Sequence, residues 1–407
     1  MSTGSASSSM PPALERRLKY SGPALFSYGF RPFFLGGAAW SVACIVLWIP
    51  QFMGDLSLPT AYPPLDWHIH EMLYGYVAAV IAGFLLTAIP NWTGRLPISG
   101  VPLMALAALW LAGRVGMLLS ARIGIPLAAL VDVAFLATLA FVAGREIAAG
   151  RNWRNLRVLA LVGVLIAGNI VFHAEVYLSG RADYGMRISI GAIIMLISLV
   201  GGRIVPSFTR NWLARRDNGR LPVPFSRFDV ATMVISLVSL ALWAALPDNI
   251  ATGIALTVTA VLQAARLARW AGDRTIADRL VLVLHVGYAF VPIGFALVGA
   301  SIFYPSVVPG SVGIHAWTAG AIALMTLAVM SRASLGHTGQ PLSAGAGTQA
   351  IYLLALLSAL LRMIAGFDGS IVVMEAAATA WVAAFGGFLL LYGPLLVRQR
   401  PVWAGRA

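Results

Sequence analysis

Cysteine is nearly missing from this 407-residue chain: its single thiol, Cys44, sits inside an apolar run. That excludes a disulfide framework, a CxxC redox pair and a CxxCH attachment motif, and leaves any metal to His, carboxylate, Met or backbone oxygen. Charge is scarce as well. Asp, Glu, Lys and Arg make up 11% of residues, less than half the ~25% of ordinary soluble domains. A soluble fold is therefore excluded. What is present is apolar: 59% hydrophobic residues, in recurring runs of about 18 to 22 residues, each able to cross a hydrocarbon core of ~30 Å. The expected fold is all-α, a polytopic membrane protein of about twelve transmembrane helices whose solvent is the lipid bilayer. A net charge of +13 would suggest nucleic acid in a soluble chain. In a membrane protein basic residues first fix topology, so no nucleic-acid partner is expected.

The Ser-rich start lacks the apolar core of a signal peptide, so residues 1–25 are expected to be a disordered cytoplasmic tail that stays on the chain. Residues 26–400 are expected to form one twelve-helix domain, and 401–407 a cytoplasmic C-terminal tail. Apolar runs place the spans near 33–50, 71–89, 102–119, 125–142, 157–178, 188–205, 229–246, 250–268, 280–300, 314–330, 348–365 and 374–397. Of the 28 Lys and Arg, 23 then fall on the side of the two termini, only Arg122, Arg181 and Arg187 on the opposite side, and Arg114 and Arg362 within spans. By the positive-inside rule both termini are cytoplasmic.

Arg114 and Asp132 sit at matching depth in an antiparallel hairpin, which predicts an ion pair, and Arg362 and Glu375 flank a short loop that predicts a second. Topology also sorts the six histidines. His68, His70, His173 and His315 converge on the outer layer with Glu71, Glu175 and Met72, whereas His285 and His337 form an inner pair. Imidazoles near an apolar layer need partners, and His is a common ligand of iron and copper, so a metal centre near the outer face is expected. In Asp66-Trp67-His68-Ile69-His70-Glu71-Met72, a helix would point His68 and His70 about 200° apart, toward two different sites. An extended chain would aim both at one metal. Glu71 is a candidate either to steer an imidazole as a hydrogen-bond acceptor or to accept protons, and Glu175 is a candidate proton relay. Arg203 and Arg332, at inner span ends rich in Pro, Trp and Asn, are either interfacial anchors or part of a cytoplasmic vestibule for protons, substrate or propionates.

Trp92-Thr93-Gly94, Phe208-Thr209-Arg210 and His337-Thr338-Gly339 each begin 22 residues after His70, Met186 and His315 respectively. The twelve spans would then divide into three pseudo-repeated four-helix units with His70 and His315 equivalent. Such a layout resembles, in architecture alone, the twelve-helix subunit of haem–copper oxidases.

Gly29-Phe30-Arg31-Pro32-Phe33-Phe34, the run Trp67 to Met72, Gly83 to Gly94, Gly201 to Thr209, His285 to Tyr288 and Met325 to Gly339 together resemble the NnrS family of membrane proteins. The resemblance implies a bacterial cytoplasmic-membrane protein carrying haem b and copper, in the nitrosative-stress response around nitric oxide and denitrification. It carries across to His68, His70, Glu71, His285, His315 and His337; His173 stands in less distinctive surroundings. The expectation is a haem and copper centre near the periplasmic face, held by some of His68, His70, His173 and His315, that binds nitric oxide and could reduce it. With no electron-entry module evident, an unidentified donor would be needed. The alternatives are a copper permease that loads at the outer histidines and releases at His285 and His337, and a haem-based sensor without turnover.

Overall fold

A computed structural model describes residues 20, 22–216 and 219–399. Twelve helices long and apolar enough to cross a membrane account for most of these residues: α1 (Phe30–Met53), α2 (Pro64–Thr93), α3 (Val101–Leu118), α4 (Ile125–Ala149), α5 (Trp153–Ser179), α6 (Tyr184–Leu213), α7 (Arg227–Ala245), α8 (Ile250–Ala268), α9 (Arg279–Phe303), α10 (Gly310–Thr338), α11 (Ala346–Asp368) and α12 (Ile371–Val397). No strand occurs among the described residues. Of the expected tails, residues 1–19, 21 and 401–407 lie outside the described residues, while Ala24–Phe26 forms one 3-10 turn.

Helices are the only open segments that satisfy their own backbone in lipid, and they associate there through close packing. The packing is ordered by fours. Helix α3 packs on α4, α7 on α8 and α11 on α12; α4 packs on α5, α8 on α9 and α12 on α1; α1 packs on α2, α5 on α6 and α9 on α10. The last contact of the second series closes a ring. Arg31 fastens it, its Nη1 donating to the carbonyls of Leu396 and Arg398 at 2.8 Å each. Most buried are α2, α10, α9 and α6, with 78, 72, 67 and 61% of their apolar stretches covered against 28% for the peripheral α4. Outward-facing Leu130, Phe141 and Leu390 are 69 to 82% exposed, an apolar surface suited to lipid. Where α5 meets α6, a Cβ on Gly185 would stand 2.4 Å from the Phe172 backbone nitrogen, so the helices touch main chain to main chain.

Helix α2 begins seven residues before its expected start, because Pro64 is its first residue and Pro is preorganised for that position. The segment carrying His68 and His70 is thus helical. From Glu71 to Val77 the helix widens to π geometry, and α10 does the same from Ala316 to Ile322. Both π segments start at the residue after a histidine, His70 and His315, and both helices end on a left-handed glycine, Gly94 and Gly339. Helix α6, opened near Met186, stays α-helical throughout. The correspondence between α2 and α10 is therefore closer than either has with α6.

Candidate functional site

Two imidazoles that helix geometry points apart should enter two different environments, and they do. His70 turns toward α3, α4 and α5. Its Nδ1 lies 3.0 Å from Glu71 Oε1, and its Nε2 lies 3.3 Å from His173 Nε2, 3.3 Å from Asp132 Oδ2 and 3.2 Å from Asn169 Oδ1. His173 Nε2 is 3.2 Å from the same Asp132 oxygen, and its Nδ1 meets the Tyr62 hydroxyl at 2.6 Å. Burial pushes the Tyr62 hydroxyl well above its ordinary value, with the Glu71 charge adding to the effect, so the phenol keeps its proton. One donor atom from each of His70, Asp132 and His173 lies within 4.8 Å of the others, and all three residues are buried.

Charge around this triad is fixed by Arg114, which is 1% exposed. Its Nη1 donates to both Glu71 oxygens at 2.7 Å, and its Nη2 donates to Asp132 Oδ1, forming the ion pair expected from sequence. Trp40 Nε1 donates to Glu71 Oε2 at 2.6 Å, and Asn169 Nδ2 to Asp132 Oδ2 at 2.7 Å. With both carboxylates ionised, one guanidinium leaves a buried negative charge over. Buried charge of this kind needs a partner, which a metal cation or a proton on an imidazole would supply. The donor set suits a metal. Both Nδ1 atoms can face outward to Glu71 and Tyr62, the outer-shell arrangement typical of ligating histidines, leaving the two Nε2 atoms inward with a carboxylate and an amide oxygen. Gly75 is required here, since a Cβ would come within 2.6 Å of Trp40 Nε1 and 2.8 Å of Arg114 Nη1.

His68 turns the other way, into a cavity of about 480 Å³ that reaches from α1 across α2, α6 and α10 to α11 and α12. The size falls in the ~300–1,000 Å³ range of cofactor sites. The wall is mostly apolar, with His68, His315, Arg187 and Arg362 among its few polar groups. The His68 ring stacks on Trp48 at 4.1 Å, and its Nδ1 is buried without a hydrogen-bond partner. His315 Nδ1 lies 2.6 Å from the Ser311 carbonyl and so carries the proton, which leaves Nε2 with a free lone pair. Two imidazoles from the equivalent helices α2 and α10 thus line one largely apolar space, and a haem fits that description. Arg362 does not pair with Glu375: no ion pair joins them among the described residues, and Arg362 borders the cavity instead. The short α11–α12 turn sets Arg362 and Glu375 at neighbouring helix ends, but the cavity, rather than the turn, is where the guanidinium goes.

Other predicted residues lie elsewhere. Glu175 accepts the backbone N–H groups of Asp183, Tyr184 and Gly185 at 2.8 to 3.1 Å, tying down the entry to α6. At the opposite end of the bundle, His285 meets Thr209 Oγ1 at 2.8 Å, whereas His337 packs its ring on Tyr28 and Phe30. Arg203 donates to Asn155 Oδ1 at 3.0 Å, and Arg332 lies over the Phe208 ring. Sequence reasoning missed Asn169, Tyr62 and Trp40. Asn169 carried a signal, a polar residue in an apolar run one helical turn before His173 and on its face. Tyr62 and Trp40 carried none. Arg266, near the inner end of the span expected at 250–268, is buried within α8 and donates to Asp229 Oδ1 and to the Tyr288 hydroxyl.

Among curated proteins no match is found for the chain. A family model described as NnrS protein matches residues 24–400, which takes in every histidine and both sites described above. On that match, the chain belongs to the NnrS family.

Proposed function

We propose that the protein holds haem b in the cavity of His68 and His315 and a copper ion between His70 and His173, and that it binds nitric oxide there and reduces it to nitrous oxide. One observation carries this: two adjacent histidines of α2 enter two separate cofactor-like environments, each completed by a histidine from another helix. The family implies haem and copper, and the free lone pairs and buried negative charge fit both. When bound, the two metals would supply one-electron chemistry toward nitric oxide.

The residues themselves do the rest. Asp132 and Asn169 complete the oxygen side of the copper position, and Glu71 and Tyr62 orient the two imidazoles. Arg362 sits where it can neutralise a haem propionate. The apolar wall excludes water and admits a small neutral gas from the lipid. Reduction consumes protons and electrons in equal number, the electrons coming from a separate donor. We place the protein in a bacterial cytoplasmic membrane, its histidine layer facing the periplasm, because only Arg122, Arg181 and Arg187 lie at that end of the bundle outside the spans' interior.

The test is purification with haem and copper counted per chain, followed by anaerobic nitric oxide consumption with a reductant. Haem, copper and nitrous oxide production are expected. Full cofactors without turnover would leave a sensor; copper without a Soret band would leave a permease.

A further inference from the structure

Three rings form a continuous run at the outer end of α1. Trp48 stacks on His68 at 4.1 Å between centroids with planes 22° apart, and Phe52, one turn further along α1, lies 5.1 Å from Trp48 at 36°. Phe52 is 48% exposed on the last turn of the helix, whereas Trp48 is 5% exposed. Trp40, Trp110 and Trp317 donate their indole N–H groups, but Trp48 Nε1 is buried without a hydrogen-bond partner, so ring contact rather than the polar edge holds this side chain. Among the described residues no other run of ring contacts joins an exposed ring to His68, His70, His173 or His315.

The surface around Phe52 is acidic. Arg31, at the start of α1, bonds the end of α12, so the two helices run antiparallel and the outer end of α1 lies beside the start of α12. Exposed Asp55 follows α1, and exposed Asp368 and Glu375 lie at the neighbouring ends of α11 and α12. The exposed arginines of this end of the bundle, Arg122 and Arg181, stand on the α3–α4 and α5–α6 connections instead. Charge of this sign steers a basic partner to the face. We propose that the run Phe52, Trp48, His68 is the electron entry, fed by a one-electron carrier with a basic rim that docks on the outer face. Each transfer oxidises the carrier by one electron and reduces the haem iron by one, with no bond made or broken and no proton moved. Trp48 acts through His68, as a positioning residue rather than a ligand. The destination, haem beside His68, rests on the function proposed above.

Met53→Cys, labelled with a ruthenium–bipyridine photoreductant, injects electrons beside Phe52 without docking, and the buried Cys44 stays unlabelled. Haem reduction after a flash is followed at the Soret band. Trp48→Leu should slow it about tenfold and Trp48→Phe, which keeps a ring, about twofold, with haem content, Soret position and midpoint potential unchanged. Phe52→Leu, outside the cavity wall, should slow it about threefold and decides the matter if Trp48→Leu loses haem. Docking is read with reduced cytochrome c, a basic one-electron carrier. Asp55→Asn with Asp368→Asn and Glu375→Gln should cut the second-order rate about tenfold at low salt, and the difference should close at high salt. Flash reduction as fast in Trp48→Leu and Phe52→Leu as in the labelled parent would overturn the route. A triple variant that behaves as the wild type, or reduction by a lipid-soluble quinol in preference to the cationic carrier, would overturn the partner. Wild-type protein without a Soret band would overturn the functional reading and the entry route with it, an outcome distinct from a full Soret band with unchanged rates.

Discussion

Arg114 answers two carboxylates with one guanidinium, and its removal would strand both beneath the surface. Breaking such a buried pair costs about 3–5 kcal/mol. Arg114→Gln should lower the thermal midpoint markedly and weaken copper retention, both measurable on purified protein. On the proposed assignment the histidines separate by cofactor: His70→Ala and His173→Ala should each bring copper toward zero with haem kept, while His68→Ala and His315→Ala should remove haem with copper kept. Metal analysis and the Soret band read the two independently, and a single histidine that controls both cofactors would refute the division. Part of this was legible in the residues. Charged side chains at equal depth in an apolar hairpin have almost no option but each other, so Arg114 and Asp132 could be paired on paper. Arg362 and Glu375 looked alike in that respect, yet both lie near a helix end where water and a cavity offer other partners.

At the scale of the element, the π segments decide where the histidines point. A π turn takes up one extra residue without changing the phase of the flanking helix, so a further alanine inserted after Leu73 in Glu71–Val77 exceeds what it accommodates and should rotate the His68–His70 tip by about 100° against the rest of α2. Loss of haem and copper together is expected, in a protein that still inserts and elutes as the wild type; retention of either cofactor would show that the tip is positioned by its loop alone. These segments were invisible in hydropathy, because a helix that is apolar on every face gives no period to read. The early start of α2 was hidden by Pro63, Pro64 and Asp66, which resemble a loop until Pro64 is taken as a first helical residue and Asp66 as a carboxylate that accepts the Ala182 N–H. The span count, by contrast, was fully legible, since membrane thickness sets it.

For the whole molecule, the orientation proposed above rests on where arginine collects, and the buried Cys44 makes it simple to measure. Wild-type protein should resist membrane-impermeant maleimide. Ser57→Cys, at the histidine end, should label in intact cells, and Ser343→Cys, at the other end, only after permeabilisation; the reverse pattern would invert the assigned topology. The ring of helices was foreshadowed by three weak motifs, but the packing order that makes it a ring depends on which faces meet, and apolar runs do not record that. Its closure rests on Arg31 and the final carbonyls of α12, groups 365 residues apart. A ribosome delivers the first of these groups long before the last, so α1 must wait in the bilayer with one flank facing lipid until α12 has been made. Closure of the ring thus waits for α12, and a chain that stalls before that helix would leave the insertion machinery as an open arc.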